Sequence, residues 1–175
     1  MAKHRQANRT GRSSGKMTSM WGKALKPEPP FLWYTTDLMK SPAWRAMSIN
    51  TRKLIDFLTI EHFGHAGQEN GSLKATYDQL VAFGLTREHI AEAIDEAEAL
   101  GLARRMAARQ MRVPMVYRLT FYASNVGGLP EPPTNDWKRV TDETVTHIKA
   151  DLATIRKSNE LRRQKKKAAP DYEML

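Results

Sequence analysis

The chain has 175 residues, a formal net charge of +9 at pH 7 and no cysteine. This length is enough for one ordinary domain with extensions, but not for two full domains. The absence of cysteine excludes a disulfide-built fold, a thiolate metal site and a cysteine nucleophile. The sequence has no apolar run of about 18 residues, and its basic N-terminus lacks the apolar core of a secretory signal. We therefore expect no association with a membrane.

The positive charge lies at the two ends of the chain. Residues 1–26 carry seven lysines and arginines and no acid, residues 156–175 have a net charge of +4, and residues 27–155 have a net charge of −2. Basic arms usually bind polyanions, most often nucleic acid, although they can also serve solubility alone. We expect phosphate contacts that do not depend on base sequence from Arg5, Arg9, Arg12, Lys16, Arg162, Arg163, Lys165, Lys166 and Lys167.

Composition predicts how the chain is organised. The expected parts are a disordered basic arm (1–30), a folded domain (31–122), a Pro/Gly linker (123–140), an amphipathic and then basic helix (141–167) and a tail (168–175). Trp137 lies within the predicted linker. Two interpretations of it stay open: docking on the domain, or contact with a partner.

Capping residues and apolar spacing predict two helices early in the domain. Ser41-Pro42 favours a helix start, because serine caps helices and proline suits their first turn. Ser48 or Asn50 caps the next helix, which is predicted to run to about Phe63. Its buried stripe is predicted to contain Leu54, Ile55, Leu58 and His62, widened by Phe57 and Ile60. The glycines that follow predict a loop over residues 64–71.

The next fifty residues predict a short strand, two helices and a β-hairpin. Thr76 caps the first of these helices, and Gly84 ends it with a left-handed turn. Thr86 caps the second, which is predicted to extend over residues 87–100. Strands are then expected over residues 102–107 and 115–122, joined by a polar turn.

This order of elements resembles the winged helix-turn-helix family. The resemblance covers about residues 31–122 and rests on Gly84-Leu85-Thr86-Arg87-Glu88-His89-Ile90-Ala91-Glu92-Ala93-Ile94, followed by the Leu100-Gly101-Leu102 exit into a strand. It implies a mainly α fold with a small β-hairpin, here flanked by basic arms and a C-terminal helix. The segment 41–46 is also similar to uncharacterised bacterial helix-turn-helix proteins, a likeness that assigns no target.

In that family the second helix of the pair lies in the major groove, and the wing contacts phosphates or the minor groove. The resemblance therefore implies DNA contacts from Thr86, Arg87, Glu88, His89 and Glu92 on the helix, and from Arg105, Arg109 and Arg112 in the wing. Arg87 is the best candidate, because its planar guanidinium suits guanine or phosphate. The implied function is sequence-specific binding of double-stranded DNA in a bacterial cytoplasm, on the nucleoid, as a transcriptional regulator or a plasmid- or phage-type replication accessory factor.

The acidic character of the same helix favours a different interpretation. Residues 87–100 contain five acids and a single arginine. Such a helix is expected to repel phosphates, except where a glutamate accepts a hydrogen bond from cytosine. The alternative function is therefore a protein-interaction module, in which this acidic helix binds a protein partner and the basic tails bind nucleic acid nonspecifically.

The predicted C-terminal helix also has two interpretations. Thr141 caps it, and the 3-4-3 spacing of Val145, Ile148, Leu152 and Ile155 is typical of a coiled coil over two heptads. The helix either packs on its own domain or forms a homodimer through residues 145–155. A dimer would suit two DNA half-sites.

No motif predicts an enzyme. His62 and His65 lie three residues apart, but a glycine separates them and the sequence places no third ligand beside them. Phosphate-binding, dinucleotide-binding, metalloprotease and nucleophile-elbow motifs are all missing. We therefore expect no catalytic residue, no cofactor and no metal.

Overall fold

The computed structural model describes residues 32, 34–106, 115–126 and 129–168, without the side chains of residues 163 and 165–168. The described residues are mainly helical, with two small antiparallel sheets. The helices are α1 (Thr36–Lys40), α2 (Pro42–Ala46), α3 (Ile49–Gly64), α4 (Tyr77–Ala82), α5 (Ile90–Ala99) and α6 (Asp142–Ala168). The strands are β1 (Leu73–Ala75), β2 (Ala103–Arg105), β3 (Met115–Leu119), β4 (Ser124–Val126) and β5 (Leu129–Glu131). The predicted arm over residues 1–30 lies outside the described residues.

Side-chain caps begin the early helices where the sequence predicts them. The Ser41 hydroxyl accepts a hydrogen bond from the Trp44 N–H at 3.1 Å, and Pro42 occupies the first turn of α2. Ser48, rather than Asn50, caps α3. Thr76 forms a reciprocal capping box with Gln79 at the start of α4.

The buried stripe of α3 is confirmed except at its predicted edge. Leu54, Ile55 and Leu58 are fully buried, and Phe57 and His62 are buried as well. Ile60 is 45% exposed, so its predicted burial is wrong. At about 100° per residue, Ile60 lies on the side of the helix opposite the middle of this stripe.

The first sheet has the strand order β1-β3-β2, and all of its pairs are antiparallel. Leu73 pairs with Tyr117, and Ala103 pairs with Leu119. Helices α4 and α5 lie between β1 and β2 in the chain, joined by a turn in which Gly84 has a φ of +99°. Residues 107–114, which connect β2 to β3, lie outside the described residues.

The start of the second helix differs from the prediction. Residues 87–89 form a single 3-10 turn, and the regular helix begins only at Ile90. Thr86 precedes the turn, but its side chain makes no capping hydrogen bond. Its carbonyl instead accepts from the His89 N–H at 2.9 Å, which tightens the first turn and leaves the hydroxyl unused as a cap.

The buried side chain of Asn70 joins the loop before β1 to the end of β3. Its amide nitrogen donates to the carbonyls of Leu119, Tyr122 and Ala123 at 2.8, 2.9 and 3.1 Å. Its amide oxygen accepts from the Leu119 N–H at 2.7 Å. One buried amide thus satisfies four backbone groups that would be costly to leave unpaired.

Residues 123–140 are not the linker that composition predicts. They form the β4–β5 hairpin, whose tip at residues 127 and 128 lies outside the described residues, and a 3-10 turn at Asp136–Arg139. Trp137 is 6% exposed and packs in the core, so it docks on its own domain. Burial of this tryptophan and of Val140 provides the apolar contact that a mobile linker would lack.

The first turns of α6 pack on the same core. Val145 and Ile148 are half-buried against it, and Arg45 of α2 forms an ion pair with Asp142 at 3.1 Å. Much of the stripe predicted for a homodimer is therefore used within the chain. Ile155, the last residue of the stripe, is 48% exposed.

We expect Gly101→Ala to lower the free energy of unfolding by at least about 2 kcal/mol. Gly101 has a φ of +66°, and a Cβ there would lie 2.8 Å from the Asp136 carbonyl carbon and 2.9 Å from the Trp137 nitrogen. Urea unfolding measures the change. Gly64→Ala is the control: it has no atom within 4 Å of the added Cβ, and should be neutral or slightly stabilising. Equal stability of the two variants would contradict the close packing of residues 136 and 137 on Gly101.

We expect His62 to make the domain less stable in mild acid. Its ring is 4% exposed, its Nδ1 has no hydrogen-bond partner, and burial lowers the pKa of the imidazole from 6.5. Below that pH the unfolded chain takes up a proton more readily than the folded chain. Stability is therefore complete above about pH 6.5 and falls as the pH drops toward the folded pKa.

Urea unfolding between pH 5 and 8 tests this expectation. His62→Phe keeps an aromatic ring beside Tyr122, which stacks on His62 at 5.0 Å, and should flatten the acid limb of the profile. His147→Gln, on the exposed side of α6, is the control and should keep the wild-type slope. An unchanged slope in His62→Phe would show that other groups cause the acid loss.

Candidate nucleic-acid interface

Thr86, the 3-10 turn after it and helix α5 hold the residues predicted to contact DNA from the recognition helix. One face of α5 packs in the core through Ile90, Ala93, Ile94 and Ala97. The spacing of these apolar residues turns the other face, with its carboxylates, away from the core. The turn places Thr86 and Arg87 side by side at the exposed start of this helix.

Arg87 forms an ion pair with Asp78, in the first turn of α4. The Arg87 side chain is 61% exposed and the Asp78 side chain is 84% exposed. An ion pair this exposed contributes little to stability, so a stronger anion such as a phosphate can replace the carboxylate at small cost. The pair holds the guanidinium at the junction of the two helices.

His89 and Glu92 point toward α6 and bind each other. The Glu92 Oε2 atom lies 3.0 Å from His89 Nδ1 and accepts two hydrogen bonds from Arg156, at 3.0 and 2.6 Å. Partial burial raises the pKa of Glu92, but the hydrogen bonds and charges of Arg156 and His89 outweigh it and leave that pKa below its ordinary value. Glu92 is therefore held as a carboxylate that fastens α6 to α5.

Arg105 lies at the end of β2 and faces two carboxylates of α5. Its guanidinium pairs with Asp95 at 3.0 Å and with Glu98, and its backbone N–H donates to Glu98 at 2.7 Å. Burial lowers the pKa of Arg105, but these carboxylates raise it further, so the net change is upward. Arg105, which was predicted to lie in the wing, therefore forms part of the contact between α5 and β2.

Glu96 binds the start of α3. Its carboxylate accepts from the Ser48 N–H at 3.0 Å and from the Thr51 hydroxyl. A negative charge at this position also favours the positive end of the α3 dipole. With Glu92, Asp95 and Glu98, it completes a set of four α5 carboxylates whose partners all lie within the chain.

A groove separates the first half of α5 from α6. Its volume is about 570 Å³, and it opens beside the Glu92–Arg156 pair. Apolar and polar side chains line it together, among them Met47, Asn50, Lys149, Leu152 and Ile155.

The remaining predicted contacts fall into three groups. Glu88 is exposed in the 3-10 turn before α5. Arg162 is exposed on α6. Residues 163 and 165–167 belong to the α6 backbone, but their side chains are outside the description. The predicted contacts that lie wholly outside the described residues are Arg5, Arg9, Arg12, Lys16, Arg109 and Arg112.

Sequence reasoning missed Arg156 and Glu96 as structural partners of this surface. Arg156 lies 64 residues beyond Glu92, and Glu96 lies 45 residues beyond Thr51. No local spacing connects residues so far apart. The available indication was indirect: an acidic helix in a nearly neutral domain needs cations or helix N-termini nearby.

Among the described residues, no group of three or more histidine, aspartate or glutamate side chains is placed to hold a metal ion. The described helices include none that combines the length and apolar content needed to cross a bilayer. Comparison with protein families, with curated proteins and with solved structures finds no match for this chain.

We expect the Glu92–Arg156 pair to have a coupling energy of about 0.5–1 kcal/mol at low salt, because the Arg156 side chain is mostly exposed. A double-mutant cycle with Glu92→Gln and Arg156→Ala, followed by urea unfolding, measures it. Lys157→Ala, at an exposed neighbouring position, is the control and should not couple to Glu92→Gln. Zero coupling for the Arg156 cycle would mean that the pair does not hold α6 in solution.

Proposed function

We propose that the domain is a winged helix-turn-helix that binds double-stranded DNA in a sequence-specific manner. In this proposal the start of α5 enters the major groove, with Thr86 and Arg87 facing the bases or the flanking phosphates. The segment between β2 and β3 is the wing, and its Arg109 and Arg112 contact the minor groove or its phosphates.

The strand order is the observation that carries this proposal. Two helices joined by a turn at Gly84 lie between β1 and β2, and β3 returns between those two strands. This arrangement packs one face of α5 on the core and keeps the 3-10 turn before α5 at the surface. It also pairs β2 with β3 in antiparallel fashion, as the two strands beside a wing require.

The charge distribution supports different roles in DNA binding for the domain and for the ends of the chain. The segment 27–155 has a net charge of −2, so it cannot supply much attraction for a polyanion. The basic ends have a net charge of +7 over residues 1–26 and +4 over residues 156–175. They capture the phosphate backbone without sequence preference, and the domain adds base contacts.

The internal partners of the α5 carboxylates favour DNA over a protein partner for this surface. A protein-interaction module needs its acids free to meet basic residues of another chain. Glu92, Asp95, Glu96 and Glu98 are instead engaged with Arg156, Arg105 and the start of α3. In this proposal the protein acts by occupying DNA in a bacterial cytoplasm, as a transcriptional regulator or a replication accessory factor. It catalyses no reaction.

Arg87→Ala in the full chain tests the proposal. The preferred duplex is first selected from a random pool, and binding is then followed by fluorescence anisotropy between 50 and 300 mM salt. We expect this variant to weaken specific binding by about 1–3 kcal/mol and to relax preference at one base pair. Arg139→Ala is the control, because Arg139 is an exposed arginine that is not among the predicted DNA contacts. It should bind like the wild type.

Two results would contradict the proposal. If Arg87→Ala and Arg139→Ala bind alike, the start of α5 does not contact bases. If the pool yields no preferred sequence, the chain binds DNA through its basic ends alone. That result would favour the alternative function, a protein-interaction module.

A further inference from the structure

Helix α6 consists of a half that packs on the domain and a half that extends beyond it. The packed half, residues 142–156, begins at the Arg45–Asp142 ion pair and contacts the core through Val145 and Ile148. At its end, Arg156 donates two hydrogen bonds to Glu92. Among the side chains that the structure describes, none beyond Arg156 makes a hydrogen bond or ion pair to another element.

The projecting half, residues 157–168, stays helical to Ala168. Its 12 residues span about 18 Å at the rise of an α-helix. It contains six lysines and arginines and one acid, Glu160. Leu161, near its middle, is 57% exposed. This segment is therefore a strongly basic helix whose described side chains make no hydrogen bond or ion pair to another element.

The packed half explains how a charged and exposed segment is helical. Starting a helix is unfavourable, whereas adding residues to an existing one costs little for good helix formers such as lysine, arginine, glutamine and leucine. Residues 142–156 provide that existing helix. Repulsion between the lysines and arginines opposes the extension, and a polyanion would remove this repulsion.

We propose that the projecting half of α6 is a second DNA-binding helix, which lies in the major groove or along its phosphate edges as a preformed rod. This inference rests on the proposed function and adds an element to it. An α-helix with its side chains is about 10–12 Å wide and fits the major groove, which is about 12 Å wide. The contacts of Arg156 and Ile148 fix the direction in which the rod leaves the domain.

A preformed helix differs from a mobile tail of the same charge. Both release counterions when their cations meet phosphates, so both make binding dependent on salt. The rod, however, loses less conformational entropy on binding, because its backbone is already ordered. Changing the helix while keeping the charge therefore separates the two.

A second copy of this chain is the other occupant to consider for the projecting half. Ile155 and Leu161 are the exposed apolar residues that it would use. Its density of like charges opposes pairing with itself, and Asn159 and Arg162 interrupt the apolar spacing that a coiled coil needs. Those charges suit a polyanion instead.

Leu161→Pro and Leu161→Ala in the full chain test the inference. Neither changes the net charge, and the proline disturbs the helix only back to residue 157, which leaves the Arg156–Glu92 contact in place. Circular dichroism checks that Leu161→Pro loses helix and Leu161→Ala does not. At 150 mM salt we expect Leu161→Pro to bind the selected duplex about tenfold more weakly than Leu161→Ala, which should match the wild type.

Each outcome bears on one of the two proposals. Equal affinities of Leu161→Pro and Leu161→Ala would overturn the rod, since a disordered tail would then serve as well. A dimer by sedimentation that Leu161→Pro dissociates would overturn it too. If Leu161→Pro weakens binding and Arg87→Ala does not, α6 stands as the DNA-binding helix and the role proposed for α5 falls. If the wild type binds no duplex, both proposals fall.

Discussion

The outer face of α5 carries carboxylates that must be compensated, and this requirement connects the elements around it. Glu96 accepts a hydrogen bond at the start of α3. Asp95 and Glu98 form ion pairs with Arg105 of β2, and Glu92 forms one with Arg156 of α6. The buried face of the same helix packs in the core. Although each exposed ion pair contributes little by itself, together they join α5 to the strand end and to the helix that lie beside it.

The same contacts decide what α5 can offer to nucleic acid. Carboxylates paired within the chain repel phosphates less than free ones, yet the surface around them is not positive. The 3-10 turn before α5, with Arg87 held by an exposed ion pair, presents a cation that a phosphate or a guanine can bind in place of Asp78. In the proposed complex, base contacts from this helix are therefore confined to its start, and the basic ends of the chain supply most of the affinity.

Local chemistry made most helix boundaries predictable, because caps and left-handed glycines act within a few residues. Ser41, Thr76 and Gly84 are examples. The linker prediction was wrong because composition does not show where a distant residue leaves space for another segment to pack. Trp137 packs in the core beside Gly101. Because glycine has no side chain, the backbone of residues 136 and 137 can approach Gly101 closely. The exposed position of Arg87 before α5 could be predicted from the sequence, but the long-range Glu92–Arg156 contact could not.

The packing of α6 gives the basic C-terminal segment a geometry that its sequence alone does not. A free basic tail samples many directions, so its charge is spread over a large volume. Here the ion pair at Glu92 lies where the helix leaves the domain, and the helix continues for about three further turns beyond it. Since Glu92 belongs to α5, one carboxylate connects the helix proposed to contact bases with the helix proposed to contact phosphates. Their relative placement is thus set within the chain before any DNA is bound, which reduces the ordering that binding requires.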